Sequence, residues 1–337
     1  MFRSTKTILI AAALGCGFAV APTVGFSQVR GSGATFPAPI YSRWFAAYQA
    51  AAHVAVDYQA VGSGQGINAL KNRQVDFGAS DAPLSPSEEA SMPEPVVHIP
   101  SVGGAVAVTY NLPGVPAGLK ITPEVLAGIF LGKVANWSDA KIKALNPGLR
   151  IPALPIQPIH RTDGSGTTYI FTNYLKKANG EWAAGPGAGK SVNWPVGLGG
   201  KGSQGVDAVL ARTPGAISYV ELAYAVAQKL PYAAIRNKAG AFVMPSVEST
   251  TAAINDYAAA LAKDIKTPTV DARGKDSYPI CSLTYILMFR NSARPDAVKL
   301  WNWAMTPAAQ GQAASLYYAP LPASLVRLNQ ATLKTVK

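Results

Sequence analysis

Two long runs of β-forming residues, 102–111 and 278–290, enclose the middle of this chain. Shorter strand-like and helix-like segments alternate before, between and after them, which is the pattern of an α/β protein. The N-terminal block has too few helices to cover its own sheet, so we expect the C-terminal helices to cover it. The sequence therefore predicts two α/β lobes, the first built from both ends of the chain and the second from its middle. Two crossing strands would join them around a cleft that can close on a ligand.

Composition and charge narrow the class of partner. Hydrophobic residues make up 49% of the 337 residues and charged residues 14%, which excludes a disordered chain and a long coiled coil. The 30 Lys and Arg residues exceed the 18 Asp and Glu residues, giving a net charge of +12, which favours an anionic partner. The lysines are scattered and form no run of about five or more, so we expect no nucleic-acid or membrane-surface tract.

The N-terminus has the pattern of a secretory signal peptide over residues 1–27. Two cations precede the apolar run 8–20, and the small residues Gly25 and Ser27 suit the positions before a cleavage site. We expect cleavage after Ser27, with cleavage after Ala21 as the alternative. The mature protein would then be exported to the periplasm.

The two cysteines, Cys16 and Cys281, limit the covalent chemistry of the chain. A lipid anchor at Cys16 is not favoured, because Leu14 is misplaced for a lipoprotein signal and the apolar run before the cysteine is short. Only Cys281 remains in the exported chain, so no internal disulfide can form. We expect Cys281 to be a buried, inert thiol.

Three loops rich in glycine and hydroxyl residues precede predicted helices. They cover residues 31–37, 62–66 and 163–167, and the first leads into a predicted helix over 38–52. The free backbone amides and positive dipole end of a helix N-terminus favour a bound anion. A single loop of this kind is commonly only a tight turn, but three together, with Arg161 close to the third, predict an oxyanion site.

Other site types fit the sequence poorly. No loop ends in the Gly-Lys-Ser/Thr of a nucleotide-binding P-loop, and 62–66 does not match the dinucleotide fingerprint. His53, His98 and His160 lack zinc-ligand spacing, so no metal site is expected. Residues 78–82 only approach the nucleophile elbow of a hydrolase. We therefore expect no catalytic residues and no cofactor.

Three longer segments, 31–41, 75–84 and 160–168, closely resemble the PstS-type phosphate-binding proteins of the bacterial high-affinity phosphate ABC transporter. The stretches 197–202 and 214–224 are similar as well. The resemblance covers essentially the whole mature chain, with its motifs in the same order and at similar spacing.

The resemblance implies a two-lobed periplasmic-binding-protein fold of type II. Lobe I would comprise residues 28–104 and 281–337, and lobe II residues 105–280 with hinge strands at its ends. It further implies a monomer that binds inorganic phosphate in the cleft and delivers it to ABC permease subunits at the membrane.

The resemblance also implies a set of phosphate contacts, which are all present in this sequence. Asp163 would hold Arg161 in place through an ion pair, or cap the helix that follows it. The implied contacts are Thr35, Phe36, Ser63, Asp81, Arg161, Ser165, Gly166 and Thr167.

The chemistry of Asp81 gives an independent reason for its presence. A carboxylate beside a bound anion is repulsive unless it accepts a hydrogen bond from a proton that the anion carries. Phosphate carries such a proton near neutral pH and sulfate does not, so Asp81 is expected to admit phosphate and reject sulfate.

Three other functions remain open from the sequence. The chain could bind another tetrahedral oxyanion such as sulfate, or could be a secreted phosphate scavenger that has no transporter. A phosphatase is the third alternative.

Overall fold

The computed structural model describes residues 28–337. The predicted signal peptide and the question of a lipid anchor at Cys16 therefore lie outside the described residues. Among residues 28–337, no helix is both long and apolar enough to cross a membrane.

Strands and helices alternate along the described chain as the sequence predicts. The strands are β1 (Gln28–Gly33), β2 (Ala55–Ala60), β3 (Phe77–Ser80), β4 (Val96–Asn111), β5 (Lys120–Ile121), β6 (Gln157–Arg161), β7 (Leu198–Gly200), β8 (Ala216–Glu221), β9 (Ala234–Arg236), β10 (Phe242–Val243) and β11 (Cys281–Phe289). The helices are α1 (Ala38–Ala52), α2 (Ser63–Lys71), α3 (Pro86–Ala90), α4 (Pro123–Phe130), α5 (Ala140–Leu145), α6 (Gly166–Ala178), α7 (Gly180–Ala184), α8 (Gly202–Arg212), α9 (Leu222–Ala227), α10 (Val247–Asp256), α11 (Ala258–Lys263), α12 (Pro295–Ala304), α13 (Pro307–Gln310) and α14 (Ala323–Leu333), with a 3-10 turn at Ala314–Leu316.

Eight of the strands form one mixed sheet in the order β2-β1-β3-β11-β4-β8-β6-β7. The outer strands β2, β1 and β3 run parallel to one another, as do β8, β6 and β7 on the other side. The central strands β11 and β4 are antiparallel to their neighbours. A small second sheet has the order β10-β9-β5.

Strand β4 belongs to both halves of the large sheet. Residues up to Ala105 pair with β11, and residues from Val106 onwards pair with β8. We call β2, β1, β3, β11 and residues 96–105 the first half-sheet, and residues 106–111 with β8, β6 and β7 the second half-sheet. All interior residues of β4 are buried, which explains its long apolar sequence.

β4 begins six residues earlier than the predicted 102–111, because a β-bulge lets it continue through a proline. Tyr285 pairs with Pro100 and Thr284 with Val102, so Ser101 is the extra residue on β4. Pro100 has no N–H to donate to a regular ladder, and a bulge is one of the places where a strand tolerates proline. Strand β11, at Cys281–Phe289, is shorter than the predicted run 278–290.

Candidate functional site

The predicted site residues lie where strands end and helices begin. Thr35 and Phe36 follow β1, Asp81 follows β3, and Arg161 is the last residue of β6. Ligands of open α/β sheets bind outside the carboxyl ends of strands. The loops that follow the carboxyl ends of β1 and β3 in the first half-sheet and of β6 in the second meet at the site.

Ser63 joins the two sides of the site. Its hydroxyl oxygen accepts hydrogen bonds from the Gly166 N–H at 3.1 Å and from the Asp81 N–H at 3.4 Å. The Gly64 N–H also donates to the Gly164 carbonyl at 2.8 Å. The N-terminus of α2, on the first half-sheet, is therefore in direct contact with that of α6, on the second.

Asp81 is buried against Gly166. A Cβ atom built on Gly166 would lie 2.5 Å from Asp81 Oδ2, so only glycine allows this carboxylate so close to the start of α6. The Thr284 hydroxyl donates to Asp81 Oδ1 at 2.7 Å. Burial raises the pKa of Asp81 to about 7, although the Thr284 hydrogen bond and the charge of Arg161 act in the opposite direction.

Arg161 is held by Asp163 through two hydrogen bonds. Its Nε and Nη2 atoms donate to Asp163 Oδ1 at 2.7 Å and Oδ2 at 2.5 Å, which leaves Nη1 outside the ion pair. Asp163 Oδ1 also accepts the Gly202 N–H at the start of α8 at 2.9 Å. Burial tends to raise the pKa of Asp163, but the Arg161 contacts outweigh it and hold the pKa below its ordinary value.

Buried tyrosines fix the loop between β1 and α1. The Tyr224 hydroxyl donates to the Thr35 carbonyl and the Tyr318 hydroxyl to the Phe36 carbonyl, both at 2.6 Å. Thr35 Oγ1 lies 2.8 Å from Ser203 Oγ. These bonds hold the carbonyls and the hydroxyl of the loop from the side of the protein interior, so the loop can turn its backbone amides toward a ligand.

The N-terminus of α6 has a side-chain cap and a buried hydroxyl without a partner. Ser165 Oγ accepts the Thr168 N–H at 3.1 Å and so caps the helix. Asp163 does not take this role. Thr167 Oγ1 is buried and has no hydrogen-bond partner among the described residues. A buried hydroxyl of this kind is a candidate ligand donor, since leaving it unpaired costs free energy.

Taken together, the site can hold a small oxyanion. Arg161 and the N-termini of α2 and α6 provide positive potential and donors, while Asp81 provides one acceptor. The contact residues predicted from the sequence are all buried in this structure. Those with side chains are at most 5% exposed: Thr35, Phe36, Ser63, Asp81, Arg161, Ser165 and Thr167.

The comparisons with known proteins decide the family. The sequence matches the PBP superfamily domain over residues 19–310. The phosphate-binding protein PstS of Xylella fastidiosa (strain 9a5c) is 41% identical over 307 residues, which covers 89% of this chain and 83% of the relative. PstS of Pasteurella multocida (strain Pm70) is 39% identical over 338 residues, covering 98% and 96%.

The chain belongs to the PstS family. Its fold is that of solved proteins with the same two-lobed architecture. A periplasmic phosphate-binding protein named PfluDING, solved with phosphate bound, superimposes with a TM-score of 0.70 at 23% identity, covering 90% of this chain and 93% of the other. The predicted two-lobed α/β fold is confirmed.

Several site residues of this PstS-family chain were missed at the sequence level. Thr284, like Ser282, is a buried polar residue within the largely apolar strand β11, and this buried polarity was the available signal. Ser203 follows directly on the glycine-rich stretch 197–202, where another helix N-terminus begins. Tyr224 and Tyr318 carried no local signal, because their roles depend on long-range packing.

Proposed function

We propose that this chain binds one inorganic phosphate between its two lobes and delivers it to the permease of an ABC phosphate transporter. The contact between Asp81 and Gly166 carries the proposal. A carboxylate from the first half-sheet lies against a helix N-terminus of the second, with Arg161 nearby. A tetrahedral anion that carries a proton needs donors and one acceptor together. The PstS relatives and the phosphate-bound neighbour support this choice of anion.

The residues divide into donors and one acceptor. Arg161 Nη1 and the amides at the helix N-termini would donate to phosphate oxygens, and Asp81 would accept a hydrogen bond from the protonated phosphate oxygen. Asp163 would position Arg161 by fixing two of its donors. We assign the contacts to Thr35, Phe36, Ser63, Asp81, Arg161, Ser165, Gly166 and Thr167.

The lobes would move about the central strands of the sheet. In this proposal lobe I comprises residues 28–104 and 281–337, and lobe II comprises residues 105–280. The change of partner along β4 after Ala105 supports this division. Release of phosphate would require the contacts between Ser63 and Gly166 to open.

The remaining parts of the proposal follow from the role of a binding protein. The chain would be a monomer that works in the periplasm, binds phosphate without a cofactor and catalyses no reaction. The names of its relatives describe binding proteins, which supports a role without catalysis.

Calorimetric titration of the mature chain tests the anion directly. The protein is unfolded and refolded to remove bound anion and titrated near pH 8, where Asp81 is mostly ionised, with phosphate and, separately, with sulfate. We expect one-to-one phosphate binding at micromolar affinity or tighter and no sulfate binding. Equal binding of the two anions would favour a general oxyanion binder, and binding of neither would overturn the proposal.

The transporter role needs a separate experiment. Phosphate uptake by vesicles that contain the cognate permease and ATPase should depend on added binding protein. Tight phosphate binding without stimulation of uptake would identify a scavenger instead.

A further inference from the structure

Asp207 is a buried carboxyl group without a hydrogen-bond partner. It lies on α8 and is only 5% exposed, and neither of its side-chain oxygens has a partner among the described residues. Burying an unpaired carboxylate is costly, so such a group is retained only as a neutral acid or beside a compensating charge.

Helix α8 places Asp207 immediately behind the anion site. The first residue of α8, Gly202, donates its N–H to Asp163, which in turn holds Arg161. Ser203 precedes Asp207 by four residues and therefore lies on the same helix face. Because Ser203 touches Thr35, that face is turned toward the site.

Titratable groups lie on four of the elements that pack on α8. Strand β6 contributes Arg161, β8 contributes Glu221, and α9 contributes Tyr224. The other titratable groups of β6 and β8 have partners elsewhere: His160 stacks on Trp194 and Tyr219 shares a hydrogen bond with Thr168. The adjacent strand β7 is Leu-Gly-Gly and carries no ionisable group. β4 contributes His98 and Tyr110, which are bonded elsewhere, to Leu84 N and to the Pro116 carbonyl.

The charge of the site depends on the state of Asp207. Asp163 already neutralises Arg161, so an ionised Asp207 would add a negative charge next to the place where the anion binds. Burial raises the pKa of Asp207 to about 7, with the charge of Arg161 opposing the shift. Both states of this carboxyl group are therefore accessible near neutral pH.

We propose that Asp207 is a positioning residue that couples anion binding to the uptake of one proton, acting through Arg161. As a neutral acid Asp207 adds no charge beside the Arg161–Asp163 pair, and as a carboxylate it repels the anion. The proton comes from solvent and stays on Asp207 while the anion is bound. This inference rests on the proposed function.

The test compares the pH dependence of phosphate binding in the full mature chain and in Asp207→Asn. Dissociation constants are measured by calorimetry from about pH 5 to about pH 9. The ratio of the two constants cancels the titration of phosphate itself and of Asp81, because both are the same in the two proteins. We expect similar affinities at the acidic end and, above about pH 7, a ratio that grows in favour of the variant by up to roughly tenfold per pH unit.

Proton counting gives a second readout. Titrations in two buffers of different ionisation enthalpy should show that the unmodified protein takes up more protons per phosphate at alkaline pH than Asp207→Asn does, by up to about one. Asp207→Ala serves if the asparagine variant does not fold. Asp57→Asn, an exposed carboxyl on β2, is the matched control and should leave the profile unchanged.

A ratio of dissociation constants that does not change with pH would overturn the role of Asp207, as would equal proton uptake by the two proteins. Failure of the unmodified protein to bind phosphate at any pH would instead overturn the proposed function. The two failures are therefore distinguishable.

Discussion

The Thr284 hydroxyl donates a hydrogen bond of 2.7 Å to Asp81 Oδ1, although the two residues are 203 positions apart. The bond crosses from β11 to the end of β3, which are paired strands. With one oxygen of Asp81 occupied by Thr284, the other, Oδ2, lies against Gly166. The carboxylate is thereby oriented with one acceptor toward the second half-sheet.

Asp81→Asn should reduce the preference for phosphate over sulfate. The amide can donate a hydrogen bond to an unprotonated oxygen, which the carboxylate cannot do. We expect the ratio of the two affinities to fall by at least about tenfold, measured by competition titration near pH 8, where the native group is ionised. An unchanged ratio would remove Asp81 from the selectivity mechanism.

Selectivity should also depend on pH in the native protein. With the pKa of Asp81 raised by burial to about 7, the carboxyl is protonated below that pH and becomes a donor. Sulfate binding should therefore strengthen relative to phosphate as the pH falls through about 7. The ratio of the two affinities is the quantity to measure, because Asp207 acts on both anions alike.

The variant Thr284→Val tests whether Asp81 sets this pH dependence. Removing the donor to Asp81 should raise the pKa of the carboxyl further, so that sulfate begins to bind at a higher pH than in the native protein. An identical midpoint in the two proteins would show that Asp81 does not control the pH dependence.

Arg161→Ala should weaken phosphate binding by about 2 to 4 kcal/mol, or roughly 30- to 1000-fold. The variant loses a buried cation and leaves Asp163 as an unpaired carboxylate. Asp163→Asn in the same background removes that second effect. Arg161→Lys keeps the charge but cannot reproduce the fork that pairs with Asp163, so it should recover only part of the affinity. Affinity close to native in the alanine variant would contradict the assignment.

A salt bridge between Glu88 of the proposed lobe I and Lys190 of the proposed lobe II should favour closure of the two lobes. Lys190 donates to Glu88 Oε2 at 2.7 Å, and the Lys190 carbonyl accepts the Ser165 N–H. Glu88→Gln keeps the cap of α3, since Gln can accept the same Ser85 N–H, but removes the charge. We expect phosphate affinity to fall by roughly two- to fivefold.

The surface pair formed by Lys133 and Glu181 is the control for this experiment, because both side chains are at least half exposed and lie away from the site. Glu181→Gln should leave phosphate affinity unchanged. A loss in Glu88→Gln no larger than in Glu181→Gln would show that the pair at Glu88 does not favour closure.

The sequence predicts the local parts of this structure better than the distant contacts. The helix predicted over 38–52 matches α1, because its loop, Pro37 and apolar spacing are all local signals. The predicted start of β4 at residue 102 was wrong. Pro100 normally interrupts a strand, and the bulge at Ser101 that accommodates it exists only through pairing with β11.

The site shows the same division. Glycine and hydroxyl residues before helices, together with Arg161, pointed to an oxyanion from sequence alone. The bonds from Thr284 to Asp81 and from Tyr224 to Thr35 join residues far apart in the chain, and no periodicity or spacing encodes them. Asp207 reads in sequence as an ordinary helix residue, and only its burial without a partner distinguishes it.

The strand β4 also determines how the protein can be divided. Its hydrogen bonds pass without a break from β11 to β8, and its interior residues are all buried. A cut between Ala105 and Val106 would divide β4 but not the half-sheets, because β11 would stay on the fragment that carries the second half-sheet. Residues 96–105 and β11 would then lie on different fragments, each with an apolar strand and unpaired backbone groups. Such edges pair with any available strand, so the two fragments should reassociate when expressed together and aggregate when expressed apart.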